Sequence, residues 1–147
     1  MGLRFTAGRC TRLLVAVIAC GAAAGASAAD SFRVRLTPVP IDAATAAATT
    51  GQGSATAQLD GTKLTLKGSF AGLKGAATVA RLHAGPVTGV RGPAIADFMV
   101  PAAQGGSFTA DLTLTPAQAD SVRRGHVYVQ IASASAPDGN LWGWLLP

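Results

Sequence analysis

The sequence predicts an all-β fold, a sandwich or small barrel of about eight short antiparallel strands with one short helix. Three observations carry this. Short runs of alternating apolar and polar residues recur along the chain, turns rich in glycine and proline separate them, and charged residues make up only 13% of the total.

The elements follow in order. Phe32, Val34 and Leu36 alternate with Arg33, Arg35 and Thr37, the period-two pattern of a half-buried strand, and Pro38 and Pro40 end it. Residues 41–50 run through alanines and threonines around Asp42 with weak helical periodicity, and are expected as a loop. Residues 54–59 and 63–70 flank Asp60-Gly61, a strong hairpin signal, because both turn positions of the favoured two-residue loop need positive φ. Residues 77–84 alternate as a further strand. Residues 85–93 hold three glycines and two prolines, which is loop chemistry. Ile95, Phe98 and Val100 mark a short strand, and Phe108, Ala110, Leu112 and Leu114 a longer one after Gly105-Gly106. Thr115-Pro116-Ala117-Gln118 starts a helix, with threonine as N-cap, proline at the first helical position and glutamine reaching back. Ala119 and Val122 face inward, Arg123 and Arg124 suit the last turn, and Gly125 ends the helix. Residues 126–132 form a strand with Val127, Val129 and Ile131 on one face, and Pro137-Asp138-Gly139-Asn140 turns into a last strand over 141–146.

Residues 1–29 read as an export signal. Arg4, Arg9 and Arg12 make a basic start, Leu13-Leu14-Val15-Ala16-Val17-Ile18-Ala19 an apolar run, and Ala26-Ser27-Ala28 or Ser27-Ala28-Ala29 a cleavage site. A spanning helix needs about 20 mostly apolar residues; this run dilutes into Gly21, Gly25 and Ser27 first. The mature chain, from near Asp30, is expected to be secreted or periplasmic, with no transmembrane helix. An alternative takes Val17-Ile18-Ala19-Cys20 as a lipoprotein box, with Cys20 acylated and the protein anchored. Cys10 and Cys20 both lie in the signal, so residues 30–147 fold without a disulfide and offer no thiolate for catalysis or metal binding. Removing the signal's three arginines leaves nine basic residues against seven aspartates, so the net charge falls from +5 to +2 and implies no nucleic-acid partner. Residues 30–147 fit one domain, and chains of this length bury roughly two thirds of their unfolded surface.

Four stretches stand together in a recognisable order: Leu82-His83-Ala84-Gly85-Pro86, then Gly92-Pro93, then Gly125-His126-Val127-Tyr128-Val129-Gln130, and last Ala136-Pro137-Asp138-Gly139-Asn140-Leu141-Trp142-Gly143-Trp144-Leu145-Leu146. In that order and spacing the chain resembles the CHRD domain, the module named after chordin, over roughly residues 32–146. The resemblance implies an immunoglobulin-like antiparallel β-sandwich and an exported protein; most members of the family have no assigned activity. In the family the strand before the glycine-proline loop usually reads Ala-His-hydrophobic-His-x-Gly, whereas here it reads Ala80-Arg81-Leu82-His83-Ala84-Gly85. Most members end in Gly-Glu-hydrophobic-Arg-Gly-Gln, whereas this chain reads Gly139-Asn140-Leu141-Trp142-Gly143-Trp144.

These departures bear on chemistry. Two imidazoles two apart on a strand can share a metal, but an arginine in place of the first stays protonated and repels a cation. A nitrogen-rich site would need His83 and His126 brought together by the fold, with Asp97 or Asp111 as carboxylate partner. Seven aspartates and no glutamate leave few acid–base candidates, and no serine sits in a Gly-x-Ser-x-Gly elbow. Trp142 and Trp144 share one strand face, with Leu141 and Leu145 on the other. Such a strand is either covered on both sides or displays an aromatic pair able to stack on sugar rings or an apolar partner.

The reading is therefore a non-catalytic binding or structural module without cofactor, whose partner outside the cell or in the periplasm is a protein or glycan and not a nucleic acid. Its binding residues are Arg81, His83 and Arg91 beside the loop 85–93, where two arginines near a histidine suit an anionic group, together with Trp142 and Trp144. The rival is a metal-binding protein or metal-dependent oxidoreductase of superoxide-dismutase-like sandwich type, using His83 and His126.

Overall fold

A computed structural model of the protein describes residues 1–2, 28–40 and 42–147. The basic start, the apolar run and Cys20 of the expected export signal lie outside the described residues. Among the described residues eight strands form, β1 (Asp30–Pro38), β2 (Gln52–Asp60), β3 (Lys63–Ala71), β4 (Ala77–Ala84), β5 (Ala94–Phe98), β6 (Gly106–Thr113), β7 (Val127–Ser133) and β8 (Ala136–Trp144), with short helices α1 (Ala43–Ala46) after β1 and α2 (Pro116–Arg123) after β6.

All pairings are antiparallel, in the order β5-β4-β7-β8-β1-β2-β3-β6. β1 is where the sheet folds over: it pairs with β2 from Asp30 to Leu36 and with β8 at Thr37 and Pro38. The two ends of the sheet meet through side chains, with the rings of Phe98 on β5 and Phe108 on β6 at 5.6 Å between centroids. The molecule is thus the all-β sandwich that the alternation predicts, nearly closed into a barrel. Its core takes one face of each strand: Phe32, Val34 and Leu36 of β1, Leu64 and Leu66 of β3, Leu82 of β4, and Leu141 of β8, followed by Leu145. Each such side chain stabilises the fold by about 1.5 to 3 kcal/mol relative to exposure. The alternate residues, among them Arg33, Arg35 and Lys67, stay exposed on the outer face.

α2 forms as its capping box predicts, with the Thr115 side chain accepting from Gln118 N–H and Gln118 reaching back to the Thr115 N–H. Arg123 ties this helix to β1 and to the β2–β3 turn, through Asp30 at 2.9 Å and the Gly61 carbonyl at 3.1 Å.

Three local expectations are corrected. Residues 41–50 are not all loop: Asp42 caps the single turn of α1, accepting from Thr45 N–H at 2.7 Å while Thr45 Oγ1 accepts from Asp42 N–H. The Thr45 backbone hydrogen bond, helped by that of its side chain, holds the Asp42 carboxyl below its ordinary value. This cap therefore contributes fully above the ordinary carboxylate range and is lost as pH falls through the lowered value. In the β2–β3 hairpin, Asp60 pairs with Lys63 inside the ladder, and the turn residues are Gly61 and Thr62. Only Gly61 takes positive φ, at 58°, the first-position glycine of a II′-type loop. The last hairpin turns at Ala134-Ser135, with Ser133 opposite Ala136. Residues 137–140 are extra residues of β8, out of register between Ile131 and Ser133. Their bulge buries Asn140, whose Nδ2 donates to the Thr50 carbonyl and whose Oδ1 accepts from Ser133 Oγ, pinning the segment after α1.

Candidate functional site

The strand register assembles one outer face. His83 on β4 stands opposite Tyr128 on β7, and Arg81 opposite Gln130. Tyr128 in turn faces Trp144, and Gln130 faces Trp142, across to β8. Because side chains alternate, these six residues share the side of the sheet away from the core. Their rings stack: His83 and Tyr128 lie 4.9 Å apart and 9° from parallel, Tyr128 and Trp142 5.3 Å and 16°, while Tyr128 and Trp144 meet at 4.7 Å but tilted by 49°. Tyr128 is the hub, and it is 1% exposed although it faces outward.

The loop 85–93 covers it. The Tyr128 hydroxyl donates to the Gly92 carbonyl at 3.2 Å and stands 3.3 Å from the Gly92 N–H, while His83 Nδ1 lies 3.0 Å from the same carbonyl. A carbonyl only accepts, so Nδ1 carries the proton in this arrangement. Arg91 lays its guanidinium 4.4 Å above the Trp142 ring, a contact worth about 0.5 to 1 kcal/mol at a partly exposed site. Thr88 Oγ1 donates to the Gly125 carbonyl and Gly85 N–H to the His126 carbonyl, fastening the loop to the start of β7.

Residues 32–145 match the family model of the CHRD domain. The chain belongs to the CHRD domain family. No curated protein and no solved structure matches it.

In this CHRD domain, Arg81, which occupies the first of the two histidine positions, forms an exposed ion pair with Asp97 at 3.2 Å, across the β4–β5 ladder. Such a pair is worth about 0 to 1 kcal/mol. Arg81 and Arg91 are thus engaged with different partners and do not converge on one point. His83 Nε2 and Trp142 Nε1 are buried without a hydrogen-bond partner among the described residues. Asp111, the other carboxylate considered for a metal, accepts from Thr65 on β3, away from the histidines. His126 precedes β7; no ring contact or hydrogen bond joins its side chain to His83 among the described residues. Among those residues, no three His, Cys, Asp or Glu side chains gather closely enough to hold a metal ion, and no helix is long and apolar enough to cross a membrane.

Trp142 and Trp144 are neither core residues nor a freely displayed pair: both are half-buried on the outer face of a strand whose Leu141 is in the core. Gly143 between them permits a close crossing, because a Cβ there would lie 2.5 Å from the Arg35 carbonyl oxygen and from Val34 Cγ1 on β1. Beside Trp144 the outer face opens into a groove of about 750 Å³ that runs from β8 over β1, β2 and β3. Its cations are Arg33, Arg35 and Lys67, and among the described residues no aspartate or glutamate side chain lines it. Sequence reasoning missed Tyr128 and these three cations. The signal for Tyr128 was present: it shares a face with Gln130, opposite Val127, Val129 and Ile131. The cations carried no signal beyond the ordinary polar face of a strand.

Proposed function

We propose that this CHRD domain is exported and works outside the cell or in the periplasm as a non-catalytic binding module for a glycan or protein, through the outer face of β4, β7 and β8. The observation that carries the reading is the aromatic stack of His83, Tyr128, Trp142 and Trp144, held under the loop 85–93 with Arg91 on top. A sheet face built this way offers rigid ring area and a cation at small entropic cost. Trp142 and His83 hold the loop; Trp144, with only a tilted neighbour, and Arg91, at the surface, meet the ligand. Arg81 contributes by exchanging its weak partner Asp97 for an anionic group. CHRD domains are typically extracellular, which agrees with the basic and apolar start of the sequence.

The test presents the immobilised protein to a panel of soluble glycans and extracellular proteins, beside its Trp144→Ala and Arg91→Ala variants. A bound ligand that both variants weaken, while both remain folded at the temperature of the assay, is the expected result. Binding indifferent to both changes, or none at all, overturns the reading. Two further outcomes are expected. Mass spectrometry of the exported protein should give a chain starting at Ala29 or Asp30, and a lipid on Cys20 would place the protein on a membrane surface instead. A strong chelator added to protein as isolated should leave the melting temperature unchanged; a drop of several degrees would favour the metal-binding rival through His83 and His126.

A further inference from the structure

We infer that the groove beside Trp144 binds an acidic polysaccharide, with Trp144 as the ring platform and Arg33, Arg35 and Lys67 as the anion contacts. The inference rests on the binding reading above and names its ligand. The side-chain charges point one way: among the described residues three cations line the groove and no aspartate or glutamate does. Among the described residues the ion pairs belong to Arg81 and Arg123, and none to these three. Like charges left together in this manner repel one another, and an anionic occupant would relieve that repulsion.

The strand register gives the pattern such an occupant would meet. Arg33 stands opposite Thr56, and Thr56 opposite Lys67; Arg35 stands opposite Ser54, and Ser54 opposite Ser69. Two rows therefore lead away from β8, each beginning with an arginine and crossing hydroxyls, the first ending in Lys67. With strands about 4.8 Å apart, Arg33 and Lys67 are rooted about 10 Å from each other. On the other side, β1 and β8 pair at Thr37–Trp142 and meet again in the Arg33–Leu146 bridge, which keeps the same register and sets Trp144 level with Arg35. Trp142 is already stacked on Tyr128 and capped by Arg91, whereas Trp144 makes one tilted contact. Trp144 is thus the indole left for a ligand. A saccharide chain with carboxylates matches all three features: its ring faces stack on indole, its hydroxyls meet serine and threonine, and its carboxylates meet guanidinium forks. A simple inorganic anion would leave Trp144 unused, and a neutral saccharide would leave the three cations unanswered.

The experiment is calorimetric titration of the full chain with an oligogalacturonate, an uncharged glucan oligosaccharide of equal length, and a single-stranded oligonucleotide. The oligogalacturonate is expected to bind tightest of the three, with an affinity that falls as salt is raised. Arg33→Gln, Arg35→Gln and Lys67→Gln should each weaken it at unchanged melting temperature, the arginine changes by about tenfold, and Trp144→Ala should abolish it while still folded at the temperature of the titration. Lys67 lies away from the β1–β8 seam, so its variant keeps the test decisive if the seam variants fail to fold. Equal binding of the uncharged glucan, tighter binding of the oligonucleotide, or oligogalacturonate binding that survives the charge changes would overturn the inference. A ligand from the wider panel that depends on Arg91 but not on Arg35 or Lys67 would overturn it too, while leaving the proposed function standing.

Discussion

Replacing Tyr128 by alanine is expected to destabilise the protein by about 3 to 5 kcal/mol, the range for a fully buried aromatic ring. Its ring is 1% exposed, stacks against His83 and Trp142, and touches Trp144. The loss is a large part of a typical domain's total of about 5 to 15 kcal/mol, so the variant should unfold at a much lower denaturant concentration with an unchanged slope. Tyr128→Phe separates the two roles of the residue. It keeps the ring and removes the hydroxyl that the Gly92 carbonyl and N–H both face, at about 1 kcal/mol. It should also free the loop 85–93, seen as faster trypsin cleavage after Arg91. If Tyr128→Phe left that cleavage rate unchanged, the hydroxyl would not be what holds the loop.

Trp142→Ala and Trp144→Ala are expected to differ. Trp142 stacks on Tyr128, carries Arg91 above its ring and packs so closely on the β8 bulge that a Cβ at Gly139 would come within 2.7 Å of its Cζ2 and Nε1. Losing it should cost about 2 to 3 kcal/mol, less than the roughly 3 to 5 of a fully buried ring because the residue is half-exposed. Trp144 has one tilted aromatic neighbour, and its loss should cost about 1 kcal/mol. Unfolding of the two variants side by side checks this, with iodide quenching as a second measure: the emission that remains in Trp142→Ala should be quenched more readily than that in Trp144→Ala. Equal losses and equal quenching would mean that the rings share one environment, and would remove the reason for assigning one to the fold and the other to a ligand.

Much of the fold was legible because its signals are local. The alternation of Phe32, Val34 and Leu36 with arginines, the Thr115 to Gln118 capping box, and the glycines around residue 90 each report a conformation set within a few residues. Signals that are local but ambiguous were misplaced. Pro137-Asp138-Gly139-Asn140 has the composition of a turn, yet the ladder makes it a bulge, because Asn140 finds its partners in Thr50 and Ser133. Asp42 begins a helix of one turn, and the weak helical periodicity of the alanines and threonines around it did not separate helix from loop, since a single turn is too short to define a face.

The site divides in the same way. His83, Arg91, Trp142 and Trp144 could be singled out as residues from their types and from the places where the chain leaves its family's pattern. Which of them touch was decided by strand register, a long-range property: Tyr128 sits 45 positions from His83 in sequence and directly opposite it in the sheet. Arg33, Arg35 and Lys67 lie on strands far from Trp144 in the chain, and only the folding of the sheet at β1 brings them to one groove. The sequence by itself determined the strand faces, the loop 85–93 and α2, because backbone propensity and side-chain alternation act over neighbouring residues. The tertiary structure alone decided the aromatic stack, the engagement of Arg81 with Asp97 and of Arg91 with Trp142, and the basic groove, because each depends on which strand pairs with which, and in what register.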